Sequence, residues 1–142
     1  MMKIREALGE AAVSTLRSVE IGFVDSQIIS ENAARPTSNS AWAQLWFKPG
    51  KAQVFTLGSG GLDLLSGVFL VNIHLPLDTG NSVGVKAVDT FRKSFIAGKR
   101  LIFEEQETHI VECDANLGRI VDTWYRADIS IYWKAYLTRG AV

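Results

Sequence analysis

The chain has little of what a catalytic or crosslinked protein needs. It carries a single cysteine, Cys113, so no disulfide can form within it and no cysteine-based zinc site can be built. A reducing compartment follows as the expectation. Histidines number two, His74 and His109, with no HExxH pattern between them. Charge of one sign is also missing: 15 basic and 15 acidic residues cancel. That balance argues against a protein that works by neutralising phosphates. It also leaves a subunit little like-charge repulsion to resist association. No apolar run approaches the ~20 residues of a membrane span, and the first residues, with Arg5, Glu6 and Glu10, lack the apolar block of a signal peptide. A soluble protein made in the cytoplasm, without a membrane partner, is expected.

What is present is the material of one globular domain. At 142 residues, 47% of them hydrophobic and 21% charged, the chain can bury roughly 68% of its unfolded surface without metals or crosslinks. The reading is one α+β domain over 1–142, a mostly antiparallel sheet packed by two helices. Its centre is Leu65 to Phe95. From Gly67 to Leu75 the residues Phe69, Val71, Ile73 and Leu75 alternate onto one strand face, with Val68, Leu70, Asn72 and His74 on the other. Pro76 lacks an N–H and should end the strand. A turn follows at Asp78, Thr79, Gly80 and Asn81, and Asn81 or Ser82 is expected to cap a helix through its side chain. Ala87, Val88, Phe91 and Phe95 share one helical face, while Lys86, Asp89, Arg92 and Lys93 point to water. Gly98 is expected to close that helix in a left-handed conformation.

Around this unit the pattern predicts a first helix over 3–19, striped by Ile4, Leu8, Ala11, Ala12, Leu16 and Val19. A short extended piece follows at Gln27 to Ser30, then a loop to Ser40. Ala41 to Phe47 reads as a strand ended by Pro49–Gly50. Residues 48–65, with GSGG at Gly58 to Gly61, read as a long hairpin loop. Arg100 to Glu104 and Thr108 to Cys113 are strands flanking a turn at Glu105 to Glu107, and Asp114 to Arg119 is a loop. Thr123 to Leu137 alternates throughout, and fifteen residues would run about 50 Å. A strand so long should be broken by a bulge or extend beyond its own domain.

Motifs for chemistry are weak. GSGG lacks the Lys-Ser/Thr of a phosphate loop and precedes a strand where that motif demands a helix, so it reads as a turn. Cys113 and His109 share a strand face but sit ~13 Å apart, beyond proton-transfer reach. Glu104, Glu105, Glu107 and Glu112 read as a solvated hairpin with no paired acid and base. No catalytic, cofactor-binding or metal-binding residue is therefore assigned, and no enzyme is expected. The aromatics say more. Trp42, Trp46, Trp124 and Trp133 all fall on strands, joined by Tyr125, Tyr132 and Tyr136. One core needs Tyr125 and Trp133; the opposite-face set, Trp124, Tyr132 and Tyr136, suits an interface, where aromatics are enriched.

In sequence order, Glu31-Asn32 with Pro36, Trp42 in the first long strand, Gly67-x-Phe69, Pro76 and Gly80 before a helix, Phe95 and Gly98 at its end, and the closing strand Ala127 to Tyr132 resemble the tail terminator proteins of long-tailed bacteriophages and gene-transfer particles. The likeness covers residues 29–137; Lys51 to Leu64 looks like an insertion. The resemblance implies a virion protein of compact α+β subunits, assembled in the host cytoplasm into a homohexameric ring at the head-proximal end of the tail. Such a ring caps the tail tube, ends polymerisation of the tube protein, and presents the surface for the head-completion or connector protein. DNA passes through it without specific binding. A different head–tail joining protein is the alternative, and a small hydrolase or nucleotide-binding enzyme a more distant one.

Overall fold

A computed structural model describes residues 1–19, 23–31, 33–34, 40–77 and 80–139. The elements run α1 (Met2–Ser18), β1 (Ile28–Ser30), β2 (Trp42–Pro49), β3 (Gln53–Val54), β4 (Leu62–Pro76), α2 (Ser82–Ser94), β5 (Arg100–Phe103), β6 (Gln106–Val121) and β7 (Trp124–Thr138), with a 3-10 turn at Asp25–Gln27 before β1. All strands join one sheet in the order β1-β2-β4-β7-β6-β5, with β3 pairing β4 beyond the end of β2. Every pairing is antiparallel except β1 with β2. The α+β expectation thus holds in outline, as a sheet-dominated mixed architecture with two helices.

Both helices lie on one face, against the alternating apolar rows of the two central strands, β4 and β7. Phe69, Val71, Ile73 and Leu75 of β4 and Ala127, Ile129, Ile131, Trp133 and Ala135 of β7 are buried there, with Ile4, Leu8, Ala12 and Leu16 of α1 and Ala87, Val88, Phe91 and Phe95 of and after α2. Large side chains in such a core contribute ~1.5–3 kcal/mol each by leaving water. Phe91 and Phe95 stack on each other with centroids 5.8 Å apart. Gly67 brings backbones close: a Cβ there would meet Lys48 O at 2.5 Å and the Trp133 ring at 2.9 Å. That contact lets Trp133 lie flat against Phe47, 5.4 Å between centroids.

Several expectations need correction. β4 starts at Leu62, so Leu62 to Leu65 belong to the strand and not to the loop, and Pro76 is its last paired residue. The register explains why: Pro76 faces Trp124 at the end of the ladder, where a missing donor costs little. Pro49 likewise sits inside the end of β2. Asn81 precedes α2 but makes no side-chain capping bond; its carbonyl accepts from the Val85 N–H, and Ser82 is already helical. Gly98 has the expected φ of +89°, but the helix has ended at Ser94, so the glycine shapes the turn into β5. The β5–β6 turn is Glu104–Glu105, one residue earlier than predicted; φ values of +47° and +71° match the type I′ hairpin. Asp114 to Arg119 is no loop but part of the 16-residue β6. The bulges fall in β6, at Ile110/Glu112 and Leu117/Arg119, while β7 runs unbroken because β4 matches it residue for residue from Leu62↔Thr138 to Pro76↔Trp124. Each bulge resets which β6 side chains face the helices, which hid its period from a two-residue reading.

The expected hairpin at 48–65 is present. Gly50 N–H donates to Ser66 O, β3 pairs Gln53↔Leu64 and Val54↔Asp63, and the GSGG segment makes the tip, with Gly58 at φ +96°. The loop predicted up to Ser40 and the turn at Asp78–Thr79 fall largely outside the described residues.

Candidate functional site

Register assigns the helix-free face of the sheet. Trp42, Gln44, Trp46 and Lys48 of β2 lie beside His74, Asn72, Leu70 and Val68 of β4. These lie beside Arg126, Asp128, Ser130 and Tyr132 of β7, and Glu112, Asp114 and Asn116 of β6 follow. Three zones result. At one end Trp42 stacks on His74 with centroids 3.8 Å apart, and Trp124 meets both edge-on at 6.3 and 6.4 Å. Ile29, Trp42 and Trp124 form a small second core here, separate from the one under the helices. His74 is only 6% exposed. Burial, reinforced by the Arg126 charge, lowers its pKa to about 4 despite the carbonyls of Asn72 and Trp42 and the carboxylate of Asp128. It is neutral at neutral pH.

In the middle lies a polar ladder across four strands, β2, β4, β7 and β6. With its amide turned to satisfy both neighbours, Asn72 donates to Asp128 Oδ1 at 2.9 Å and accepts from Trp46 Nε1 at 3.0 Å. Arg126 Nε bonds the same carboxylate, and Arg119 approaches its other oxygen at 3.9 Å. Beyond the ladder, Trp46, Leu70, Val68 and Tyr132 leave an incompletely buried apolar strip, with Tyr132 41% exposed. Lys48 reaches over the Trp46 ring.

At the far end, Arg139 anchors the hairpin arm (residues 50–61), including its tip. Its guanidinium bonds Asp63 Oδ1 at 2.8 and 3.1 Å, Thr56 O at 2.7 Å, Leu62 O at 3.2 Å and Gly58 O. Phe55 of the arm packs edge-on against half-buried Tyr136, 4.9 Å between centroids. The phosphate-loop candidate is thus a turn held by an arginine and followed by a strand.

The three aromatics predicted for an interface share the helix-free face but do not converge. Trp124 is 8% exposed inside the second core, Tyr132 stands open, and Tyr136 supports the arm. Arg139 and the Asn72–Asp128–Arg126 ladder escaped sequence reading. Strand alternation placed the ladder residues on one face, but only the register across β2, β4 and β7 brings them together. Cys113 and His109 pair with Ile131 and Lys134 and do not meet. Burial pushes the Cys113 thiol up to about 11, far from a reactive thiolate. Among the described residues, no three of His, Cys, Asp and Glu group as a metal site, and no helix is long and apolar enough to cross a membrane.

A continuous sheet with helices on one face, an aromatic strip on the other and a projecting arm defines a subunit suited to surface contacts. The chain belongs to the phage tail terminator protein family, whose model matches residues 3–133, and it is accordingly a structural protein of phage tails. No curated protein matches it. Its fold is shared by one solved structure with a TM-score of 0.73 at 13% identity, covering 93% of this chain and 92% of that chain. It is shared also by a chain from the virion of a native gene transfer agent particle, with a TM-score of 0.52 at 14% identity, covering 95% of this chain and 97% of that one.

Proposed function

We propose that this chain is a non-enzymatic ring subunit, a homohexamer that seats on the head-proximal end of the tail tube. There it stops addition of the major tail tube protein and offers the surface to which the head-completion or connector protein binds. The observation that carries this reading is the helix-free sheet face: Trp46 of β2, Val68 and Leu70 of β4 and Tyr132 of β7 lie on three paired strands with no helix among the described residues over them. Incompletely buried apolar strips rimmed by charge mark association surfaces. Tyr132 and Tyr136 make a subunit or tube contact in this reading, and Trp124, predicted for the same interface, holds the sheet end that presents them. A ring requires two different patches per subunit, and the arm is one that stands apart from the sheet face. Zero net charge suits a channel that lets DNA pass without holding it. Assembly takes place in the host cytoplasm, and the product stays in the virion.

Deletion of the gene should yield particles with overlong tails, measured by electron microscopy. Tails of normal length without heads would instead identify a head–tail joining protein. Purified chain, alone and with tube protein, should show the ring mass by light scattering; a strict monomer in both would overturn the proposal.

A further inference from the structure

The helix side of the sheet is not covered evenly. Helix α1 leaves a groove of about 470 Å³ over β1 and β2, floored by Leu45, Phe47 and Phe69 and edged by α1. This volume lies in the range of pockets that hold a ligand or a side-chain cluster. The rim carries three carboxylates, Glu6, Glu10 and Glu31, against two guanidiniums, Arg5 and Arg17. Elsewhere on the same chain the arm presents apolar side chains to water: Val54 is 66%, Phe55 56% and Leu57 91% exposed. From Lys51 to Leu62 its one charge is the positive Lys51. Glu6 lies 3.8 Å from Arg5 and Glu31 accepts from the Phe47 N–H, so Glu10 is the carboxylate in excess on the rim. Arm and groove are therefore complementary in polarity, and the arm's one positive charge is opposite in sign to that excess.

The arm does not reach its own groove. Pairing Val54↔Asp63 and the Arg139 bonds hold it in line with the sheet, running off the end marked by Leu62↔Thr138. From Asp63 to Phe69 along β4 is six residues, about 20 Å, and the tip at Gly58 to Gly61 lies on the far side of Asp63 from the groove. We propose that the arm of one copy inserts Val54 and Leu57 into the α1–β2 groove of the next, with Lys51 facing the acidic rim. It is a heterologous contact, the kind that closes a ring. This rests on the ring reading above and adds which two patches meet.

Engineered cysteines test it. In a Cys113→Ser background, Leu57→Cys and Ser14→Cys are placed at the exposed tip and at the exposed groove wall. The single variants are purified separately, mixed with and without tube protein, and oxidised. The expected result is covalent dimers in the mixture, joined between positions 14 and 57 by mass spectrometry, and a ladder of higher species from the double variant. A double variant that yields only an internally bonded monomer would show the arm filling its own groove and overturn the proposal. Rings of the right mass without any 14–57 bond would overturn the pairing while leaving the ring reading intact; a strict monomer throughout would remove both. As an independent measure, Leu57→Asp should keep its melting temperature yet weaken association at least about tenfold, and unchanged association would overturn the pairing.

Discussion

Phe91 and His74 show how a residue's role depends on the face it occupies. Phe91 is fully buried between α2 and the sheet, so Phe91→Ala should cost about 3–5 kcal/mol, read as a lowered midpoint in chemical denaturation. His74 is buried on the opposite face, with its pKa lowered to about 4 from an ordinary 6.5. The unfolded chain takes up a proton between those values and the folded chain does not. Stability from this group is therefore complete above pH 6.5 and falls as pH drops towards 4, by up to about 3 kcal/mol. His74→Phe, which keeps the stack on Trp42, should flatten the stability profile across that window, measured by denaturant midpoints from pH 4 to 7. Sequence alternation assigned His74 to the non-core face. That this face has a small core of its own was not legible, because Trp42 and Trp124 reach His74 from strands distant in the chain.

At the scale of elements, the β5–β6 hairpin and the arm are distinguished by how they are held. Glu104–Glu105 adopts positive φ at both positions without a glycine or asparagine, a conformation that costs non-glycine residues. Replacement by Asn-Gly should raise stability by roughly 0.5–1 kcal/mol, seen as a higher melting temperature. The arm is held by Arg139, whose half-buried guanidinium serves three carbonyls and one carboxylate. Arg139→Ala should leave the melting temperature nearly unchanged and increase proteolytic cutting within residues 51–61, followed by limited digestion and mass spectrometry. The helices and β7 could be read from period alone, since their apolar spacing is unbroken. β6 could not, because two bulges reset its phase, and the start of β4 was hidden because Leu62 to Leu65 alternates poorly beside a glycine-rich tip.

For the whole molecule, association should depend on side chains that folding does not need. Tyr132→Ser with Tyr136→Ser should preserve the circular dichroism spectrum and cooperative melting but reduce ring formation and termination of tube growth, scored by light scattering and by tail length. Loss of the fold in that variant would mean the helix-free face is a core and not a contact surface. The helices cover one side of the sheet; the other offers a stacked aromatic end, a charged ladder and an apolar strip on one rigid surface. That division suits a protein that acts by shape.

The sequence by itself determined the two amphipathic helices, the alternating rows of β4 and β7, and a surplus of strand aromatics beyond one core, because each follows from the local period of apolar residues. Tertiary structure alone decided that Trp124 is buried while Tyr132 is open, that Arg139 anchors a hairpin some eighty residues away in the chain, and that Asn72, Asp128 and Arg126 form one network. Those facts depend on strand register and order, and backbone pairing between distant segments leaves no periodic mark on either one.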